Sequence, residues 1–140
     1  MTMRGRRLLL APAVAFGVAL AASSTFAHHS RAMFDIGTNT TYRGVVDEYR
    51  WQNPHSHIVV TVAPGAKDPS TVGTWIVEAS AISLMTTMGW TPNTYKPGAQ
   101  ITVVGHPSKD GSNVVLLFYA LKADGTRLYR ATHRYPGEDE

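Results

Sequence analysis

The sequence predicts an all-β fold, a small OB-like barrel of five to six strands with one short helix. Three observations carry this. Short runs rich in β-branched residues alternate with Gly, Pro and Asn turn signals from residue 40 to residue 129. Only one stretch, residues 80–88, has apolar residues at helical spacing. That stretch falls after the third strand, so the order is strand-strand-strand-helix-strand-strand, the order of the OB-fold, a small Greek-key barrel. A β-sandwich or a meander barrel is the alternative that the same pattern allows.

Each element has a local reason. Residues 28–39 form a polar lead-in with an apolar anchor at Met33 and Phe34. Residues 40–51 read as a long first strand. Val45, Tyr49 and Trp51 share one parity there, against Val46, Glu48 and Arg50, and Gly44 marks a bulge or bend. Gln52-Asn53-Pro54 is a turn signal. Residues 55–62 are a second strand, and residues 63–73 a loop with two prolines and two glycines. In the third strand, residues 74–79, Trp75 and Val77 face one way and Ile76 and Glu78 the other. Ser80 is the expected N-cap of the helix, Ala81, Leu84, Met85 and Met88 form its apolar stripe, and Gly89 ends it.

A loop over residues 89–99 closes on a Lys96-Pro97-Gly98 turn and leads into a fourth strand at residues 100–105. Asp110-Gly111 lies in the next turn. The fifth strand, residues 113–121, is strongly apolar and so central, and Asp124-Gly125 signals a hairpin to a short strand at residues 126–129. Trp51, Trp75 and Trp90 read as core.

Residues 1–27 have the three parts of a secretory signal peptide: Arg4, Arg6 and Arg7, then an apolar run, then Thr25 and Ala27 at the −3 and −1 positions. The apolar run is about 15 residues, short of the roughly 20 that a membrane helix needs. No later segment is long enough, so no transmembrane segment is expected in the mature chain. Arg6-Arg7-Leu8-Leu9-Leu10 suits a twin-arginine signal, and the general secretory route explains the same residues. The expected organisation is a signal peptide at 1–27, a single barrel domain at 28–130 and a flexible acidic tail at 131–140, in a periplasmic or secreted protein.

The precursor has 13 Lys+Arg against 10 Asp+Glu. The signal removes three arginines and no acid, so the mature chain is balanced. That argues against a nucleic-acid partner, which demands a basic surface. There are no cysteines, so neither disulfides nor thiolate ligands are open to the chain.

Cleavage after Ala27 would leave His28 as the first residue, offering an α-amine and an imidazole to one metal ion, both donors that copper prefers. Four other histidines join the candidate set. His29 follows His28. His55 and His57 are two apart at the start of the second strand and share a face. His106 lies between Gly105 and Pro107 at the end of the fourth strand. The expected metal ligands are His28, His55, His106 and His29, with His57 and Met33 as weaker members and copper as the cofactor.

The competing readings are structural. In these readings His55 caps its turn, His57 is a solvent-facing strand residue, His106 is a ring satisfying backbone groups, and the methionines are core filler. Glu78 and Asp35 read as solvated or ion-paired carboxylates, or as a base or ligand. No phosphate loop, serine elbow or two-histidine helical zinc motif is present, so a conventional hydrolase is unsupported and no catalytic residue is assigned.

Three segments together resemble a family of small secreted bacterial proteins of unknown function. They are His28-His29-Ser30 with Met33-Phe34-Asp35, Trp51-Gln52-Asn53-Pro54-His55-Ser56, and Gly105-His106-Pro107 with Asp110-Gly111-Ser112. Gly89-Trp90 and Lys96-Pro97-Gly98 also fit. The resemblance implies a periplasmic β-rich domain and no established activity. The family pattern includes His28, His29, His55 and His106, while the position of His57 is usually apolar or aromatic there. Three functions stay open: a copper-binding domain, a metal-free module for a small ligand or a protein partner of unknown identity, and a copper-dependent oxidative enzyme.

Overall fold

The computed structural model describes residues 31–131. The expected signal peptide, His28, His29, His133 and all but the first residue of the expected acidic tail lie outside the described residues.

Among the described residues, six strands and one α-helix follow in the expected order. They are β1 (Thr40–Arg50), β2 (His57–Val62), β3 (Gly73–Glu78), α1 (Ile82–Thr87), β4 (Gln100–Pro107), β5 (Val114–Leu121) and β6 (Arg127–Tyr129). The sheet order is β3-β2-β1-β4-β5-β6, and β3 also pairs with β5 in parallel, which closes five strands into a barrel. Two strands make closure possible by changing partners along their length. β1 pairs with β4 over Thr40–Val45 and with β2 over Val45–Arg50. β5 pairs with β3 through Val114–Leu116 and with β6 through Tyr119–Leu121.

The change of partner in β1 has two local causes. Gly44 lies so close to β2 that a Cβ there would sit 2.3 Å from the Thr61 carbonyl oxygen. The register then slips between Val46 and Glu48, a bulge at Asp47. The bulge corrects the sequence reading of this strand. Val46 and Tyr49, of opposite parity, both turn to the core, because the extra residue between them resets the alternation.

Val46, Ile58, Val60, Val77, Val103, Val115 and Leu117 fill the barrel. One end is closed by Met85 of α1 with Trp90 and Tyr95. The Trp90 indole donates to the Tyr129 carbonyl at 2.8 Å, and the Tyr95 hydroxyl to that of Leu121 at 3.0 Å. β3 alternates as read: Val77 is buried inside, while Ile76 is exposed on the outer surface. Ser80 does not cap the helix. Ala81 is the N-cap residue, and the Ile82 amide instead donates to Asn53 Oδ1 at 3.0 Å. Met33 is 39% exposed and no anchor, whereas Phe34 is buried. No helix among the described residues is long and apolar enough to cross a membrane.

Candidate functional site

The loop between β1 and β2 is stitched to the junction of β3 and α1. Ser56 N donates to the Ser80 carbonyl at 2.9 Å, and Ala79 N to the Ser56 carbonyl at 2.9 Å. With Asn53 bound to the first turn of α1, the loop carrying His55 is held at both flanks. His55 Nδ1 lies 2.8 Å from Glu78 Oε1. Glu78 is 4% exposed at the end of β3, and the His55 side chain is 32% exposed. A carboxylate accepts at that distance, so Nδ1 carries a proton, and the tautomer this selects has its lone pair on Nε2.

Around this pair stand Ser80, buried and accepting from Arg130 at 3.3 Å, and His57, directly opposite Glu78 across the β2–β3 ladder. A solvated Glu78 was one expectation from sequence, and burial against His55 replaces it. The signal for the pair was slight: one acid closing an otherwise apolar run, and a histidine after a turn.

His106 is 1% exposed. Its Nδ1 lies 3.0 Å from the Thr38 carbonyl, which again assigns the proton to Nδ1. The ring stacks on Phe118 with centroids 6.1 Å apart. His106 and Glu78 both pair in register with Leu116 of β5, one from each side. Directly paired residues share a face, and two strand spacings separate the two by about 10 Å. His57, Glu78, Leu116 and His106 thus form one transverse row on the outer surface of the barrel.

The lead-in chain docks beside this row. Phe34 bridges to Ser108, Asp35 N donates to the Pro107 carbonyl at 2.9 Å, and Lys109 N donates to the Met33 carbonyl at 2.9 Å. Asp110 shapes the receiving turn, with Oδ1 accepting from Ser108 Oγ at 2.7 Å and Ser112 N at 2.9 Å. Hydrogen bonds from the Ser112 side chain, the Ser108 hydroxyl and the Ser112 amide hold its carboxyl down at about 2. Among the described residues, no three His, Asp or Glu side chains converge as a group able to hold a metal. His55 and Glu78 are brought together, His57 and His106 share their row, and Met33 stands apart on the 3-10 turn Arg31–Met33.

These features define a small closed β-barrel with a histidine–carboxylate pair at the mouth of its first loop. The chain belongs to the Family of unknown function (DUF6152), whose profile matches residues 15–117. The match spans the three motif segments, and through them the lead-in, the His55 loop and the His106 turn. No curated protein matches the chain.

Proposed function

We propose that this protein is an exported, periplasmic domain that binds one transition-metal ion, copper by preference, through the amine and imidazole of His28 together with His55. His106 is the further imidazole of the set. The single observation that carries the reading is the 2.8 Å contact between His55 Nδ1 and a buried carboxylate. Metal-bound histidines characteristically donate their other ring N–H to a carboxylate or a backbone carbonyl, which fixes the tautomer and raises the basicity of the ligating nitrogen. His55 has the first arrangement and His106 the second.

The donor chemistry fits copper. The chain has no thiolate, and amine and imidazole nitrogens suit Cu(II) in a tetragonal set. Because no described trio of side chains can hold the ion, the terminus is essential to the proposal. His28 is three residues before Arg31, at most about 10 Å of extended chain, and Arg31 begins the turn that is docked on the end of β4. A bound copper would supply a cationic, redox-capable centre. Glu78 would orient His55, and the Thr38 carbonyl would orient His106.

The test is a Cu(II) titration of protein whose first residue is confirmed as His28 by intact mass, read by calorimetry and EPR. Tight one-to-one binding, lost when one residue is added before His28 and lost in His55→Ala, is the expected result. Weak binding indifferent to both changes would overturn the proposal.

A further inference from the structure

We infer that the barrel carries a second binding site, a groove for an acidic oligosaccharide, at the opposite end from His55. It rests on neither copper nor the N-terminus. A cleft of about 720 Å³ lies between the first residues of β1 and the β2–β3 loop, lined by Thr40, Thr41, Arg43 and Lys67 among others. A second concavity of about 350 Å³ is lined by Arg43, Gln100, Thr102 and Lys122. Arg43 belongs to both, so the two adjoin across its side chain. In register, Arg43 faces Thr102 on β4, and Thr102 faces Leu121 on β5, the residue before Lys122. The combined groove therefore crosses β1, β4 and β5 on the outer surface.

Its lining carries three cations, Arg43, Lys67 and Lys122, against one carboxylate. Arg43 and Lys67 are exposed, and their side chains have no ion-pair or hydrogen-bond partner among the described residues. Lys122 Nζ is 3.9 Å from Asp124 Oδ2, a long surface contact. Such a pair is worth little, so Lys122 can exchange it for a ligand. The one carboxylate in the lining, Asp68, is committed to Ser70, accepting its amide at 3.0 Å and its hydroxyl at 2.7 Å.

Three cations, with threonine hydroxyls and the Gln100 amide in the same lining, suit a ligand that carries both acidic groups and hydroxyls. A size of several hundred Å³ matches sites for ligands of a few rings. No aromatic side chain lines either part. That disfavours a single-stranded nucleic acid, whose bases need stacking platforms. An oligomer of uronic acids meets the charge, the hydroxyls and the length.

The experiment is a titration of the full mature protein with trigalacturonate at low salt, followed by calorimetry and by NMR amide shifts. Maltotriose serves as the neutral control and an oligothymidylate as the nucleic-acid control. Trigalacturonate is expected to bind and to perturb the amides of residues 40–43 and 63–68. The affinity should fall at least tenfold in Arg43→Glu and in Lys67→Glu, fall with added salt, and stay unchanged in His55→Ala. Arg43 is on the strand and Lys67 on the loop, so a folding defect in one leaves the other as the test, with thermal melting as the check on both. No binding of trigalacturonate, equal binding of maltotriose, tighter binding of the oligothymidylate, or indifference to both charge reversals would overturn the inference.

Discussion

Replacing Glu78 by Gln separates a metal-orienting role from a purely structural one. The substitution keeps the side chain's volume and an acceptor oxygen, and it removes the charge that faces His55 Nδ1 at 2.8 Å. In the metal-free protein, a hydrogen bond to a charged acceptor, worth about 1.5–3 kcal/mol, becomes a neutral one worth about 1 kcal/mol. His55 is partly open to solvent, which places the loss at the lower end of the difference, about 0.5 kcal/mol. For a domain of this size that is a fall in Tm of about 2–4 °C. The copper effect is larger. Loss of an outer-shell carboxylate typically lowers metal affinity 10–100-fold, or about 1.4–2.8 kcal/mol at 1.4 kcal/mol per decade.

The assay is competitive Cu(II) titration of the wild type, Glu78→Gln, His55→Ala and the double variant, with melting curves of the metal-free forms. On this reasoning Glu78→Gln weakens copper in the wild-type background and has no further effect once His55 is alanine. Unchanged affinity in Glu78→Gln, or an equal loss in both backgrounds, would refute the claim that Glu78 acts through His55.

Three further predictions concern the frame. Gly44→Ala should destabilise the barrel by about 1–3 kcal/mol or more, because its Cβ would meet backbone atoms of Thr61 and a methyl of Val60 within 2.9 Å; the denaturant midpoint checks this. Asn53→Ala removes the acceptor of the Ile82 amide and should cost about 1 kcal/mol as a lost cap, with hydrogen exchange at Ile82 rising in step. Alkaline stability follows the tyrosines. Burial raises the hydroxyls of Tyr42, Tyr49 and Tyr95, that of Tyr95 to about 12. Groups raised in the folded state hold their protons longer there than when unfolded. Their stabilisation is therefore full below pH 10, the ordinary tyrosine value, and lost as pH rises from 10 toward 12. A spectrophotometric titration should show a late phenolate step that coincides with loss of structure, and a single step at the ordinary value would contradict it.

Most of the frame was legible because each element is fixed by its own neighbourhood. β3 announced its faces through Trp75 and Val77 against Ile76 and Glu78, and the Asp124-Gly125 hairpin ended where the strands do. The misread features depend on distant chain. The bulge at Asp47 is set by the fit of β1 against both β2 and β4; Gly44 marks a bend in the strand but lies three residues before the register shift. Ser80 had the residue type of a cap, yet its hydroxyl accepts from Arg130 and Asn53 caps from a loop 29 residues away. The same is true of the candidate site. The histidines stood out as residue types, but the partner of His55 comes from the end of β3 and that of His106 from the lead-in, contacts that exist only once the barrel has closed.

The three motif segments make physical sense as one device. Asn53-Pro54-His55-Ser56 spends its first residue on the helix, its third on Glu78 and its fourth on the strand ladder, so that the imidazole is fixed from both sides. Gly105 admits the close approach that His106 needs, since a Cβ there would lie 2.6 Å from the Leu116 carbonyl oxygen. Asp110 and its serines build the turn that receives the lead-in, and Phe34 and Asp35 occupy it. A purely structural lead-in would need only the Phe34 anchor. This one is also bonded through Asp35 and Thr38 to the strand that carries His106, and through Met33 to the turn that follows it. The expectation is specific: loosening the tether with Lys109→Ala, which removes the 3.0 Å bond from Nζ to the Ala32 carbonyl and leaves the backbone bonds of Met33 and Asp35 in place, should leave the melting temperature within about 4 °C, since exposed substitutions of this kind change stability by under about 0.5 kcal/mol. On the copper proposal the affinity should nonetheless fall, because the chain leading to His28 would be held less firmly. Equal copper affinity in Lys109→Ala and wild type would separate the lead-in from the site.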